Sequence, residues 1–380
     1  MIMKDKARIT YLDGIRGVAA FLVIFGHFKN AFFDNQINNR VSAGFWYLFD
    51  HFFLSASFCV EIFFVLSGFV LAYNIVNRPA FLKKQWLKRF YRLFVPVLLT
   101  SLLYFIFSRY GLIYFRQLEG VHINEWISQQ WATDNTFLQF LIGCFYELLI
   151  MSNFHFMLSI NSALWTIPIE IYWSYLLFFT FFLAGFMKGK LLQHIFIAVI
   201  MLGVVRFATF KGAIYGVLFM AGALMASNYV WLRSVFTKPL KIILVLSVVA
   251  FTITTDHNWL PETIRIPFHW SYLVATLLVL LAVVSDKVQR IFQIRFIQWI
   301  GRISFGLYLL HMIVIGSLSA WLYVQVPALR ADAGLFALLL LTITVSLLIA
   351  HLFTKYVDEP LMALYDKVYK RFAKPVWVAK

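Results

Sequence analysis

A small set of ionisable side chains falls inside or at the edge of strongly apolar runs: Arg16, His27, Glu61, Arg89, Arg92, Glu170 and His311. Such groups are costly in an apolar environment and mark functional positions by default. A histidine beside a carboxylate is a general base whose tautomer and basicity are set by its neighbour. An arginine pair at a helix end suits a phosphate or pyrophosphate. Arg16 and His27 are eleven residues apart on one helix. That is about 20° past three full turns, so they share a face about 16 Å apart along the axis. Arg16 would meet a negative or developing-negative group part way along this stripe. The implied ligand is long, with phosphates at the cytoplasmic surface and a reactive end near the outer half of a membrane. An acyl-coenzyme A has that shape.

Each residue also has a plainer reading. His27 could make a helix–helix hydrogen bond or belong to a proton relay. Glu61 could pair with Arg16 only to hold helices together. Arg89 and Arg92 share a helix face, yet basic residues at a cytoplasmic helix end follow from topology alone. His311 could serve packing. Ser67-Gly68 reads as a point of close helix approach rather than a nucleophile. Asp358-Glu359-Pro360 reads as a helix terminator at the cytoplasmic surface.

The elements that must position these residues are membrane helices. The 380-residue chain is 62% hydrophobic and 13% charged, with mean hydropathy +0.80. A soluble domain carries about a quarter charged residues. Apolar runs recur from end to end, so the chain reads as an all-α, polytopic transmembrane bundle. The alternating pattern of an outer-membrane barrel is absent. The net charge of +16 does not point to nucleic acid, because the basic residues cluster in alternate loops. Cys59 and Cys144 lie in apolar segments and form neither a disulfide framework nor a metal spacing, and no metal is expected. The N-terminus has a basic lead (Lys4, Lys6, Arg8). Asp13 and Arg16 argue that this segment is retained rather than cleaved.

Ten spans are expected, near 9–30, 54–77, 92–109, 164–187, 191–208, 213–230, 240–256, 269–285, 303–325 and 334–356, with both termini cytoplasmic. The stretch Arg78, Lys83, Lys84, Lys88, Arg89, Arg92 fixes the cytoplasmic side after the second span. Pro79 marks where that span has ended, and Pro96 is expected to kink the third. Residues 31–51 and 110–136 are expected outside. Segment 137–151 is apolar but short and holds Glu147, so it reads as interfacial or re-entrant. Were it a span, Lys188 and Lys190 would fall outside. Basic loops at Arg233/Lys238/Lys241 and Lys287/Arg290/Arg295/Arg302 then fall inside, as does a tail with Lys367, Lys370, Arg371 and Lys374. Arg206 and Lys211 interrupt the region 191–230. This topology puts His27, Glu61 and Glu170 in the outer half, Arg16 nearer the cytoplasm, His311 mid-span, and Arg89 and Arg92 at the cytoplasmic mouth.

Five stretches in this order resemble the membrane acyltransferase 3 family, which includes bacterial O-antigen and exopolysaccharide O-acetyltransferases. LDGIRGVAAFLVIFGH is similar to its first-span signature, giving Arg16 and His27. VEIFFVLSGFVLAY resembles its second-span motif, with Glu61 at the acidic position. LKRFYRLFVP resembles its arginine motif, giving Arg89 and Arg92. NSALWTIPIEIYW resembles its tryptophan–glutamate motif, giving Trp165 and Glu170, though the following aromatic pattern is shifted to Ile-Tyr-Trp. GRISFGLYLLHMIV is similar to its late Ser–Tyr–His motif, giving Ser304, Tyr308 and His311. No hydrolase-like domain follows the last span, so a stand-alone member is expected.

The resemblance implies one membrane acyltransferase domain over 1–380, with residues 359–380 as a cytoplasmic tail, in the bacterial inner membrane. It implies transfer of an acyl group, acetyl by preference, from acyl-coenzyme A to a hydroxyl of a surface glycan or its lipid-linked precursor. His27 would be the general base or a transient acyl carrier, with Glu61 or Glu170 orienting it. Arg16, Arg89, Arg92, Ser304, Tyr308 and His311 would hold the coenzyme. Expected partners are membrane lipids, the acyl-coenzyme A donor and the glycan acceptor, with a homodimer left open. The competing reading is a proton-coupled transporter or flippase, for which no inverted repeat or paired broken helices are visible.

Overall fold

A computed structural model describes residues 9–32, 56–77, 81–115, 117–118, 136–150, 161–207, 212–253 and 270–372. The expected external loops 31–51 and 110–136, and Lys4, Lys6, Arg8, Arg78, Lys211 and Lys374, lie largely or wholly outside these residues. So do the side chains of Lys83, Lys84, Glu147 and Lys370. All regular structure among the described residues is helical. In chain order the first helices are α1 (Thr10–Phe32), α2 (Ala56–Asn77), α3 (Phe81–Arg109) and α4 (Phe137–Ile150). A 3₁₀ turn, Ser162–Trp165, leads into α5 (Thr166–Ala184). Then come α6 (Lys190–Phe207), α7 (Tyr215–Ser227), α8 (Tyr229–Val235), α9 (Lys238–Ile253), α10 (Trp270–Val284) and α11 (Asp286–Phe292). Helix α12 (Arg295–Val314) passes through a π-turn (Ile315–Ser319) into α13 (Ala320–Gln325). Helix α14 (Asp332–Phe353) passes through a second π-turn (Thr354–Asp358) into α15 (Glu359–Phe372).

Among the described residues, six helical segments are long and apolar enough to cross a membrane, or eight if each bent pair is one span. The bent pairs are α7 with α8, at 76°, and α10 with α11, at 100°. All ten expected spans are helical, but α6 and α9 do not pass as spans. The outer surface is apolar, with Leu138, Leu246, Leu340 and Val199 largely exposed. An aqueous surface would not carry that much exposed aliphatic area, whereas lipid-facing helices do. The chain is a multi-pass membrane protein.

Close packing at glycines organises the bundle, because lipid offers no hydrophobic drive between helices and backbone approach must supply contact. Helices α1 and α12 run parallel. A Cβ on Gly17 would lie 2.4 Å from the Gly301 nitrogen, so the two backbones cross in direct contact. Further along, Phe32 meets Tyr323 with ring centres 5.1 Å apart. Helices α2 and α7 pack in the same way, and a Cβ on Gly68 would lie 2.1 Å from the Phe219 carbonyl oxygen. This agrees with the expected role of Gly68. Helix α14 returns antiparallel to α12, through Ser319 to Thr342 at one end and Arg302 to Glu359 at the other.

Helix α3 starts at Phe81, before the expected span, and runs on through Pro96; the part apolar enough to cross a membrane is Trp86–Arg109, so Arg89 and Arg92 lie in its first two turns. One expectation needs correction. Asp358-Glu359-Pro360 terminates nothing: the π-turn absorbs one extra residue per turn, and the helix continues to Phe372. Residues 359–372 therefore form a helix fastened to the bundle. Arg302 donates to both Glu359 carboxylate oxygens at 2.6 and 2.8 Å, and Lys88 reaches Asp366 at 2.9 Å. Helix α4 has 14 residues, about 21 Å, which is short of the roughly 30 Å hydrocarbon core. It runs antiparallel to α3, with Phe140 on Phe105 and Phe145 on Phe94.

Candidate active site

The Gly17–Gly301 crossing puts Arg16 within reach of α12. Its Nε donates to Ser304 Oγ at 2.9 Å, and its NH2 group donates to the Gly301 carbonyl at 3.2 Å. Asp13, one turn back on α1, pairs with the same NH2 group at 3.2 Å. Arg16 is thus held in one orientation by three partners. The bonds are charge-assisted, so they are stronger than neutral ones.

Arg89 is fixed from the other side. Its Nε donates to Ser174 Oγ at 3.2 Å, and its NH2 group forms an ion pair with Glu170 Oε1. Ser67 donates to that same carboxylate oxygen at 2.8 Å. These bonds use two of the five guanidinium N–H groups, leaving donors for another acceptor. Sequence depth placed Glu170 near the outer surface and Arg89 at the cytoplasmic one. Their direct contact sets them at one level, because the turn before α5 packs on the middle of α12, through Asn161 to the Leu309 carbonyl and Tyr308 to the Ala163 carbonyl, so Glu170 lies deeper than expected. Ser67, read only as packing, supplies the hydroxyl that tethers this pair.

Arg16, Arg89 and Arg92 open onto one cavity of about 140 Å³, together with Asp13, Ser67, Glu170, Ser304 and Tyr308. Helices α1, α2, α3, α5 and α12 all contribute to its walls. Tyr308 is anchored through its hydroxyl, which bonds the Ala163 carbonyl and lies 2.6 Å from Thr166 Oγ1. Among the lining residues three arginines face two carboxylates, an arrangement that suits an anionic ligand.

A second group lies further along the same α1–α12 interface. His27 and His311 meet edge to face, with ring centres 5.1 Å apart. Ser304, Tyr308 and His311 are spaced at four and three residues, so one face of α12 carries all three. The Tyr308 ring is 6.0 Å from that of His311 and links the cavity wall to the imidazoles. His311 is buried, with Nδ1 3.0 Å from the Leu307 carbonyl oxygen. Neither expected carboxylate partners His27. Glu61 is buried and accepts from Ser271 on α10 at 2.9 Å, while Glu170 belongs to Arg89. Trp165 packs on Tyr215, with ring centres 5.6 Å apart.

Asp358 was missed by sequence reasoning. It is buried at the π-turn, one of its carboxylate oxygens has no hydrogen-bond partner, and it acts electrostatically on Arg92 and Arg16. Its position beside Pro360 disguised it as a helix end. The signal that could have found it is a carboxylate one turn beyond an unbroken apolar run.

Residues 9–352 match the sequence profile described as an acyltransferase domain. Protein 2 in the picA locus of Rhizobium radiobacter is 35% identical over 113 residues, covering 28% of this chain and 50% of that protein. The chain thus spans half the length of the curated relative it matches. No solved structure matches it.

Proposed function

The chain belongs to the acyltransferase 3 family and is an acyltransferase; from that premise we propose that it moves an acetyl group from acyl-coenzyme A to a hydroxyl of a cell-surface glycan or its lipid-linked precursor. The observation that carries this reading is the cavity where Arg16 and Arg89, fixed by carboxylates and serine hydroxyls, and Arg92 meet Tyr308, with the imidazole pair beside it.

Arg89 and Arg92 hold the donor's phosphates, and Glu170 with Ser67 keeps Arg89 aimed. Arg16, further along the same cavity, steers the thioester end of the donor toward the α1–α12 interface and His27. His27 takes the proton from the acceptor hydroxyl as that oxygen bonds to the acyl carbon. The carbon–sulfur bond then breaks, and the leaving thiolate takes the proton back from the imidazolium. The membrane orientation that serves this path has ten spans in the inner membrane and both termini cytoplasmic. It is supported by the charges Lys88, Arg302, Arg233 and Arg290, which gather at the end of the bundle where α1 and α12 begin.

The test is label transfer by purified protein. With acetyl-labelled coenzyme A and surface glycan, label should appear in the glycan without any ion gradient. A gradient-dependent flux with no label transfer would favour the transporter reading and sink this one.

A further inference from the structure

His311 was grouped by sequence with the coenzyme contacts, but its surroundings differ from those of the arginine cavity. A backbone carbonyl can only accept a hydrogen bond, so the 3.0 Å contact between His311 Nδ1 and the Leu307 carbonyl puts the ring proton on Nδ1. In the neutral ring, Nε2 is then an acceptor with an open lone pair. That atom is buried and has no hydrogen-bond partner. A buried acceptor left without a donor is costly and calls for an explanation. The ring beside it is His27, at 5.1 Å between centres. Each imidazole nitrogen lies about 1.2 Å from its ring centre, so a His27 nitrogen turned along the line of centres toward His311 Nε2 can come within about 2.7 Å, a hydrogen-bond length.

The two rings also differ in access. His311 is 1% exposed, whereas His27 keeps part of its surface open although its Nδ1 is buried. Of the two rings only His27 has surface for a substrate to reach, which makes His311 a residue that acts through another.

We propose that His311 is the positioning residue for His27: its Nε2 accepts a hydrogen bond from one ring nitrogen of His27 and so holds the lone pair of the other toward the acceptor hydroxyl. The polar partner on one side of a base fixes the tautomer on the other, here with an imidazole in place of a carboxylate. The inference rests on the reading of His27 as the base. It explains why neither Glu61 nor Glu170 sits beside His27.

The experiment compares purified His311→Gln and His311→Leu, alongside His27→Ala, in the label-transfer assay. A glutamine amide oxygen can take the place of Nε2 as acceptor, and leucine cannot. His311→Gln should keep kcat within about tenfold of the unchanged protein, and His311→Leu should lose on the order of a hundredfold or more, within the range that general-base catalysis contributes. Donor KM should stay within about twofold in both, because the arginine cavity is untouched. Monodisperse size-exclusion profiles and matching Tm values for the two variants show that folding is not the cause of the difference. Equal kcat in the two variants, whether high or low, overturns the positioning role. So does a rise in donor KM with unchanged kcat, which would return His311 to the coenzyme site. An active His27→Ala overturns the base reading itself. An inactive His27→Ala with a fully active His311→Leu overturns only this inference.

Discussion

The arginine cavity and the imidazole pair share two helices and are satisfied in opposite ways. At the cavity, Arg16 has three fixed partners and Arg89 has two, and Ser67 ties down the carboxylate that holds Arg89. At the imidazoles, His311 Nε2 and, one helix away, Glu61 Oε2 are buried without hydrogen-bond partners. A site that only has to recognise a fixed charge can have its cations anchored in advance, with N–H donors left for the ligand, which lowers the cost of ordering on binding. A base that must take a proton needs a neighbour able to accept from its other nitrogen, and the open His311 Nε2 offers that place to His27. On the proposed function, the difference separates holding the donor from proton transfer along one stripe of about 16 Å.

The largest effect expected from this division is at the imidazole end. His27→Ala should lower kcat by about 10²–10⁴-fold with little change in donor KM. Arg89→Ala should do the reverse, raising donor KM about ten- to a hundredfold, the worth of one charge-assisted bond of roughly 1.5–3 kcal/mol. Steady-state kinetics on both variants measure the split. If Arg89→Ala lowered kcat and left KM alone, the cavity would not be the donor's and the division would collapse. Glu170→Gln should show a smaller rise in KM, since it loosens Arg89 without removing it. The double variant should be non-additive by about 0.5–3 kcal/mol, as expected for residues in direct contact.

Much of the stripe was legible in the sequence, and its partners were not. The eleven-residue spacing put Arg16 and His27 on one face, and both do face α12. Helical character was legible at every expected span because apolar runs of that length have few alternatives in lipid. Depth was less legible, because it depends on where a helix starts. The turn that leads into α5 packs on the middle of α12, at Tyr308 and Leu309, and this brings Glu170 from its expected outer position to the level of Arg89. Facing was not legible at all for Glu61. Its helix is apolar on every side, so no amphipathic stripe says which neighbour it meets. Asp358 was hidden for a third reason, since Pro after an acidic pair is a stop signal unless a π-turn absorbs the break.

A smaller effect probes what keeps the two regions in register. The Gly17–Gly301 contact is the pivot from which Arg16 reaches Ser304. Gly17→Ala would force its new methyl against the Gly301 backbone, which has no flexible side chain to yield. Overpacking of this kind costs about 1–3 kcal/mol. The variant should show a lower Tm in detergent and should weaken both ends together, raising donor KM and lowering kcat. A loss confined to one parameter would mean that the cavity and the imidazoles are positioned independently, and that α1–α12 packing is not what couples them.

The smallest effect expected lies outside both regions. Lys88 and Asp366 pair at 2.9 Å between α3 and α15, with side chains 25% and 36% exposed. Solvent screens such a pair, and its loss should cost no more than about 1 kcal/mol. Ring contact between Tyr91 and Tyr365, at 5.2 Å, continues to hold α15 against α3. Asp366→Asn should therefore move Tm by only a degree or two, on the order of 2–4 °C per kcal/mol for chains of a few hundred residues. Its kcat and donor KM should match those of the unchanged protein. Lys88 is the residue directly before Arg89, so this is also a test of where the donor site ends. If the cavity arginines suffice for the phosphates, freeing Lys88 changes nothing. If Asp366→Asn instead lowers donor KM, the released Lys88 is joining the phosphate contacts, and the holding region extends past the cavity onto the face of α15.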